Sequence, residues 1–431
     1  MKDIHNDTLK EETQINIHIR TSYDRFRDLR ENHAYYIDKT ELLEEYLVRR
    51  FDKVVLFTRP RRFGKTLTMT MLRDFLDIRQ DSRDIFSGLN IMEYPDVVKN
   101  YMNQYPVVFL SLKEVYGADD ETVIEQFKLV VSELCKNYRD LETSDRVSRV
   151  DKAILAEMRK QNANDADTAA CLSLLSRMLR NEYKKQVFII VDEYDVPMAK
   201  ALGTPYYDKV RDMIEHMLSY VCKTNDDVKA VVLSGCLYTV KNSDYTGVNN
   251  IQLYTILSPI YASSIGFTDE DVKKLLKDAG LSSQYDRVAE WYDGYMFGRD
   301  KMYCPRDVLS YVRSVLDGSY DEDRGPESYW LNTSETSLNL IHGFLGKSAD
   351  ANEGFERLLA GETIDCTVNE FVPYHRIHEN GANLWSALLE TGYLTKTVKE
   401  KMPLMPLKIP NKEIQAVFRQ EVWNYFNDKV D

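Results

Sequence analysis

At 431 residues, 43% hydrophobic and 29% charged, the chain has room for about three domains and an ordinary globular make-up. Its formal charge of −13 argues against nucleic-acid binding by this chain alone, since an acidic surface is repelled by phosphate backbones. No apolar run approaches the ~20 residues of a membrane helix, and the polar start Met1–Asp7 lacks a signal-peptide core, so a cytoplasmic protein with no membrane contact is expected. Six scattered cysteines without a C-x-x-C pair suggest reduced, mostly buried thiols rather than zinc or redox chemistry.

Residues 1 to 20 are polar and aperiodic, which predicts a frayed start. Ala34–Asp38 reads as a short strand, with Asp38 or Thr40 placed to cap a helix over 41–50. Val54-Val55-Leu56-Phe57 has the pattern of a buried strand. It runs into Arg59-Pro60-Arg61-Arg62-Phe63-Gly64-Lys65-Thr66, and then into a helix with Leu67, Met71, Leu72, Phe75 and Leu76 on one face. A phosphate-binding loop needs this context: a strand end, a tight turn with inward N–H groups, and the positive end of a helix dipole. Lys65 is placed to reach the β- and γ-phosphates, and Thr66 to ligate Mg²⁺. Arg59 stands where the usual pattern has its first glycine. Arg61 and Arg62 either add charge complementarity to a triphosphate or form a solvated basic edge.

Pro106–Leu112 predicts a further strand, followed by a helix carrying Val123, Phe127, Val130, Val131 and Leu134. A helical region over 151–183 is broken at Asn162–Asp165. Val187–Val191 is a five-residue apolar run, as expected of a central parallel strand buried on both faces, and it ends in Asp192-Glu193. Two carboxylates there are costly to bury without a cation. Asp192 is expected to hold the Mg²⁺ water shell and Glu193 to polarise the attacking water. Asp195 belongs to the site or caps the helix opened by Pro197, and capping is favoured. After a helix over 205–222, the strand Ala230–Leu233 leads to Ser234-Gly235. Ser234 either contacts the attacking water or γ-phosphate, or opens a turn. Strands alternating with helices predict a parallel sheet with right-handed crossovers, and a strand between the two motifs suits the additional-strand P-loop class.

Beyond Thr268-Asp269-Glu270-Asp271, a good helix start, helical patterns continue to Leu316. Trp291-Tyr292-Asp293-Gly294-Tyr295 reads as a structural turn with Gly294 at positive φ, or as an adenine-stacking platform. Asp321–Pro326 is the best interdomain boundary. Trp385, Leu388 and Leu389, followed by Gly392-Tyr393-Leu394-Thr395, form a helix-then-strand pattern of winged-helix type. Its lysines are offset by Glu390, Glu400 and Glu413, which favours a packing role over DNA binding. His375 and His378 lack a third ligand, so no metal is expected there.

The chain resembles the AAA-ATPase-like family in Tyr36–Thr40, Thr58–Thr66, Val191–Asp195, Ser234-Gly235, Gly247–Asn250, Trp291–Tyr295 and Tyr329–Ser334. The resemblance implies an α/β P-loop NTPase of the additional-strand (AAA/STAND-like) type, with a parallel sheet, a helical domain and a winged-helix-like region. The expected boundaries are 1–20 for the polar segment, 21–262 for the ATPase core, 263–345 for the helical domain and 346–431 for the winged-helix-like domain. It implies ATP and Mg²⁺, with Lys65, Glu193 and Ser234 catalytic, Thr66 and Asp192 at the metal, and Arg59, Pro60, Arg61, Arg62, Phe63, Gly64, Lys65 and Thr66 around the phosphates. Relatives place an arginine after the Ser/Thr-Gly, where this chain has Tyr238. Relatives also commonly carry a C-terminal PD-(D/E)XK nuclease domain, for which the 22 or so residues after Ile409 are too few, so nuclease activity is not expected. The expected function is ATP binding with Mg²⁺-dependent hydrolysis driving a conformational switch, together with a protein partner. The alternative is a nucleotide-binding regulatory protein that does not hydrolyse.

Overall fold

The computed structural model describes residues 17–238, 250–329, 349–398 and 403–427. The apolar runs form a five-stranded parallel sheet of β1 (Val54–Thr58), β2 (Val107–Ser111), β3 (Val187–Asp192), β4 (Val228–Gly235) and β5 (Gln252–Tyr254), in the order β2-β3-β4-β1-β5. Every residue of β1 and β3 is buried, because both faces are covered. Successive side chains alternate between the faces. Val54, Leu56, Val187, Ile189 and Val191 join the core under the helices Asp120–Lys136, Cys171–Tyr183 and Tyr207–Cys222. Val55, Phe57, Phe188 and Ile190 join the opposite core, with Leu72, Phe75 and Leu76 of the helix Lys65–Leu76. The helix after β1 therefore lies on one face and those after β2 and β3 on the other. That divergence opens a crevice at the carboxyl ends of the strands, where ligands bind in open α/β sheets.

The chain next forms β6 (Phe267–Thr268), β7 (Tyr295–Phe297) and β8 (Asp300–Tyr303), an antiparallel sheet in the order β6-β8-β7. Helices Asp269–Asp278, Tyr285–Tyr292 and Pro305–Leu316 pack around it. The first opens with a capping box between Thr268 and Asp271, as the Thr-Asp-Glu-Asp start predicts. The purely helical pattern expected up to Leu316 is corrected by these strands. They are two to four residues long, too short to show a period of two. A last antiparallel sheet, β9 (Ile364–Cys366), β10 (Thr395–Lys396) and β11 (Met405–Lys408) in the order β10-β11-β9, sits with helices Ala349–Leu359, Gly381–Glu390 and Lys412–Asn427. Phe355, Trp385, Tyr393 and Phe418 form its aromatic core.

Two N-terminal expectations are corrected. Ala34–Asp38 is not a strand; its backbone is tied by Ala34 N–H to the Leu29 carbonyl at 3.0 Å and by Tyr35 N–H to the His18 carbonyl at 2.8 Å. The end of the polar segment is anchored rather than frayed, since Ile19 is buried beside Ile37 and Phe267; residues 1–16 lie outside the described residues. The helix expected over 41–50 is present as Glu41–Glu44 continued by a π-turn over Glu45–Arg49. Residues 247–249 and 330–334, which carry part of the family resemblance, lie outside the described residues.

Candidate functional site

β1 is held between β4 and β5, so Thr58 releases the chain at the sheet's carboxyl edge, directly into the loop 59–64. Gly64 takes φ 94° at the cap of the helix Lys65–Leu76, a conformation that glycine adopts without a Cβ penalty. Arg62 is also left-handed, at φ 68°, which costs about 1–3 kcal/mol for a residue with a side chain and marks a loop held in shape by its surroundings.

Beneath the loop, both oxygens of the Asp192 carboxylate are occupied by hydroxyls from neighbouring elements. Thr66 Oγ1 donates to Oδ2 at 2.7 Å, and Ser234 Oγ donates to Oδ1. β3, β4 and the loop helix are tied together at one carboxylate. Thr66 and Asp192 present hard oxygen donors side by side, a set that suits Mg²⁺, which takes one or two protein oxygens and completes its shell with phosphates and water. No cluster of three or more His, Cys, Asp or Glu side chains able to hold a metal occurs among the described residues. Ser234 was expected to contact the attacking water or γ-phosphate; it is fully buried and its hydroxyl is spent on Asp192, so it positions that carboxylate.

Glu193 follows at φ 52°, half-buried, and its carboxylate makes no hydrogen bond among the described residues. Burial raises its pKa, the Lys65 ammonium opposes that, and Asp192 and Asp195 reinforce it. A carboxylate with raised basicity and free lone pairs can accept a proton from water. Asp195 lies at the N-terminal boundary of the helix Val196–Lys200 but does not cap it. Its Oδ2 instead accepts Cys236 N–H at 2.8 Å, Leu237 N–H at 3.0 Å and the Tyr374 hydroxyl at 3.0 Å. The capping expectation is thereby corrected: the nearby backbone amides of the turn after β4 outcompete the helix end.

The loop side chains divide. Lys65 Nζ folds back onto the carbonyls of Arg59 and Pro60, both at 2.9 Å. Arg59, expected at the phosphates, is fully buried and turned away. Its guanidinium donates to the carbonyls of Thr58 (2.8 Å), Tyr254 (3.0 Å) and Tyr261 (2.7 Å), and it sits over the Phe297 ring. Burial lowers its pKa to about 10, with Glu390 opposing, so it stays a cation at neutral pH. Pro60 contributes its carbonyl to Lys65, and its ring does not line the pocket. Phe63 is likewise a core residue, packed edge-on against Tyr295 at 5.1 Å and against Phe297 at 5.0 Å. Arg62 reaches the crevice but donates to the Tyr329 carbonyl. Arg61 lines the crevice and makes no hydrogen bond or ion pair among the described residues.

The crevice is a pocket of about 460 Å³, a size usual for small-ligand sites. Its lining includes Arg61, Gly64, Lys65, Thr66 and Glu193 together with Tyr23, Leu29, Tyr35, Pro305 and Leu309. Arg20, Lys113, Lys200 and Arg306 also reach it, so seven cationic side chains face three acidic ones, Asp24, Glu193 and Asp195. Against a net charge of −13 this is a local reversal of sign. Sequence reasoning missed Arg20, Tyr23, Tyr35, Lys113, Lys200 and Arg306. They come from segments separated by up to 286 positions (20 to 306), and no local pattern marks them. A cavity of about 510 Å³ elsewhere, between the helices Asp120–Lys136, Asp165–Ala169 and Tyr207–Cys222, includes Ile124, Phe127, Val210 and Met213 in its lining. Both lysines of its lining, Lys128 and Lys209, are already paired with Asp165 and Asp120.

The Trp291–Tyr295 motif is structural. Gly294 has φ 100°, and a Cβ there would lie 2.0 Å from the Pro410 carbonyl oxygen. Asn411 Nδ2 bonds the Asp293 carbonyl at 2.8 Å, and Tyr295 supports Phe63 of the loop. Among the described residues no helix is long and apolar enough to cross a membrane.

A strand, an arginine-rich loop, a hydroxyl-to-carboxylate tie and a parallel sheet of this order define a P-loop-type α/β protein. The chain belongs to the AAA-ATPase-like family: the model described as "Predicted AAA-ATPase" matches residues 20–243. It is similar to a protein of Azotobacter chroococcum mcd 1 known as "Uncharacterized protein in vnfD 5'region", at 23% identity over 391 residues. That match covers 89% of this chain and 65% of the relative's length. Among solved structures, the Aeropyrum pernix ORC2 protein (ADPNP-ADP complexes) aligns with a TM-score of 0.30 at 10% identity, over 89% of this chain and 93% of that one. A likeness that low carries no inference about this chain.

Proposed function

We propose that this protein binds ATP with Mg²⁺ in the crevice above β1 and β3, hydrolyses it, and uses the cycle as a conformational switch. The observation that carries this reading is the Asp192 carboxylate shared between Thr66 and Ser234 at the foot of the loop, beside a Glu193 free of partners. On this reading Lys65 exchanges the Arg59 and Pro60 carbonyls for phosphate oxygens, which are better acceptors because they are charged. Thr66 and Asp192 would hold Mg²⁺, which when bound offsets charge on the phosphates. Glu193 accepts the proton of the attacking water. The apolar and aromatic lining residues Tyr23, Leu29, Tyr35 and Leu309 suit a base. The choice of adenine follows from the family. The loop's contacts to Tyr295, Phe297 and Tyr329 supply a path by which phosphate occupancy reaches the β6-β8-β7 region, and the domain limits near residues 262 and 345 are part of this proposal.

Steady-state phosphate release with excess ATP tests it: Glu193→Gln should abolish turnover while nucleotide binding persists. Turnover unchanged in that variant would remove Glu193 from the chemistry. A second reading, nucleotide binding without hydrolysis, is favoured by Tyr238. Its ring is buried and packs edge-on against Phe371 at 5.5 Å, so a cation-bearing position in relatives serves here as packing against the C-terminal region. Tight binding with no turnover in the wild-type protein would establish that reading instead.

A further inference from the structure

We propose that Arg61 is the side chain that tells a triphosphate from a diphosphate in this pocket, taking the place of the arginine that position 238 lacks. The proposal rests on the nucleotide reading above and assigns one residue a task within it.

The loop and the helix start after it carry four cations, Arg59, Arg61, Arg62 and Lys65. Arg59 is turned into the core onto three carbonyls, and Arg62 is held by the Tyr329 carbonyl. Lys65 is the residue expected at the β- and γ-phosphates. Arg61 differs from all of these. It is half-buried, it lines the pocket, and its five donors meet no acceptor among the described residues. A half-buried guanidinium whose donors meet no acceptor, set in a concave site, suits an anion that arrives from outside.

Its neighbours fix which part of the anion. Arg61 lies within electrostatic range of Glu193, Cys236 and Asp195, at the carboxyl ends of β3 and β4. Asp195 forms no hydrogen bond to it; its Oδ2 accepts two backbone amides and the Tyr374 hydroxyl. Glu193 is the carboxylate assigned to the attacking water, and that water must approach the terminal phosphorus in line. A cation on the Glu193 side of the loop therefore faces the last phosphoryl group rather than the first. Tyr238 cannot serve, having neither the charge nor the exposure. The planar fork of Arg61 suits two oxygens of one phosphoryl group.

The test is equilibrium binding of ADP and of a non-hydrolysable ATP analogue, each with Mg²⁺, to the full chain and to Arg61→Ala, Arg61→Gln and Arg61→Lys. Truncating a side chain that makes no hydrogen bond should leave folding intact, which circular dichroism melts check; Arg61→Gln retains most of the packing should the alanine variant fail to fold. Triphosphate affinity should fall about tenfold or more in Arg61→Ala and Arg61→Gln, while ADP affinity changes by less than about threefold. Arg61→Lys should recover part of the loss, since it keeps the charge but not the fork. Equal weakening of both nucleotides, or an unchanged triphosphate affinity, would overturn the assignment and leave the nucleotide site standing. Wild-type protein that binds neither nucleotide would overturn the site and this assignment together.

Discussion

On the proposed reading Lys65 meets charge on the phosphates and Asp192 charge on the metal, so their variants should fail differently. Lys65→Ala removes an ammonium that is buried and already pointed into the loop. Nucleotide affinity should drop by about two orders of magnitude, in line with the loss of charged hydrogen bonds, and isothermal titration measures it. Unchanged affinity would mean that the loop does not hold phosphate. Asp192→Asn keeps the shape but loses the charge, so Mg²⁺-ATP should weaken far more than ATP in EDTA. Equal weakening under both conditions would make Asp192 a structural tie for Thr66 and Ser234 alone. The placement of both residues at the carboxyl edge of the sheet was legible in the sequence because each sits at a fixed distance from a strand end. Arg59 was not. Its partners, Tyr254 and Tyr261, lie 195 and 202 residues along the chain, and nothing near Arg59 announces that its side chain turns inward.

At the scale of elements, the strands that bear the two motifs were legible because burial on both faces leaves an uninterrupted apolar run. β6, β7 and β8 were not, because strands of two to four residues carry no readable period. Their importance to the site is indirect. Tyr295 and Phe297 support Phe63, which fixes the middle of the loop, and Gly294 lets this sheet meet the segment leading into the helix Lys412–Asn427. Gly294→Ala would impose a left-handed backbone on a residue with a Cβ, costing about 1–3 kcal/mol. It would also drive that Cβ to 2.0 Å from the Pro410 carbonyl oxygen, which forces the two segments apart. The midpoint of chemical denaturation should fall, and nucleotide affinity should fall with it as the loop loses its backing. A variant with wild-type stability would show that the contact between the two segments is not tight in solution.

Across the whole molecule, the C-terminal region closes onto the loop's base through one buried acid. Glu390, the last residue of the helix Gly381–Glu390, is 4% exposed. Its Oε2 accepts the Thr58 hydroxyl at 3.4 Å, and its Oε1 has no partner among the described residues. Burial raises its pKa to about 8; Glu370 adds to the shift, while Arg59 and the Thr58 hydrogen bond oppose it. The sign follows from proton binding. Between the ordinary carboxylate range and about pH 8 the folded protein holds a proton on Glu390 that the unfolded chain has released, so stability falls as pH rises through this window. The penalty is absent below about pH 4 and complete above the folded-state pKa, at a cost on the order of a few kcal/mol. Glu390→Gln should remove it, because the amide keeps the neutral shape at every pH and can still accept from Thr58. Denaturant melts from pH 5 to pH 9 should therefore show the wild-type protein losing stability with a slope that the glutamine variant lacks, and the variant should be the more stable of the two at pH 8. Parallel curves for the two proteins would mean that Glu390 is ionised throughout, with Arg59 as its counter-charge, and that the C-terminal region is held to the loop by an ion pair instead of a neutral contact.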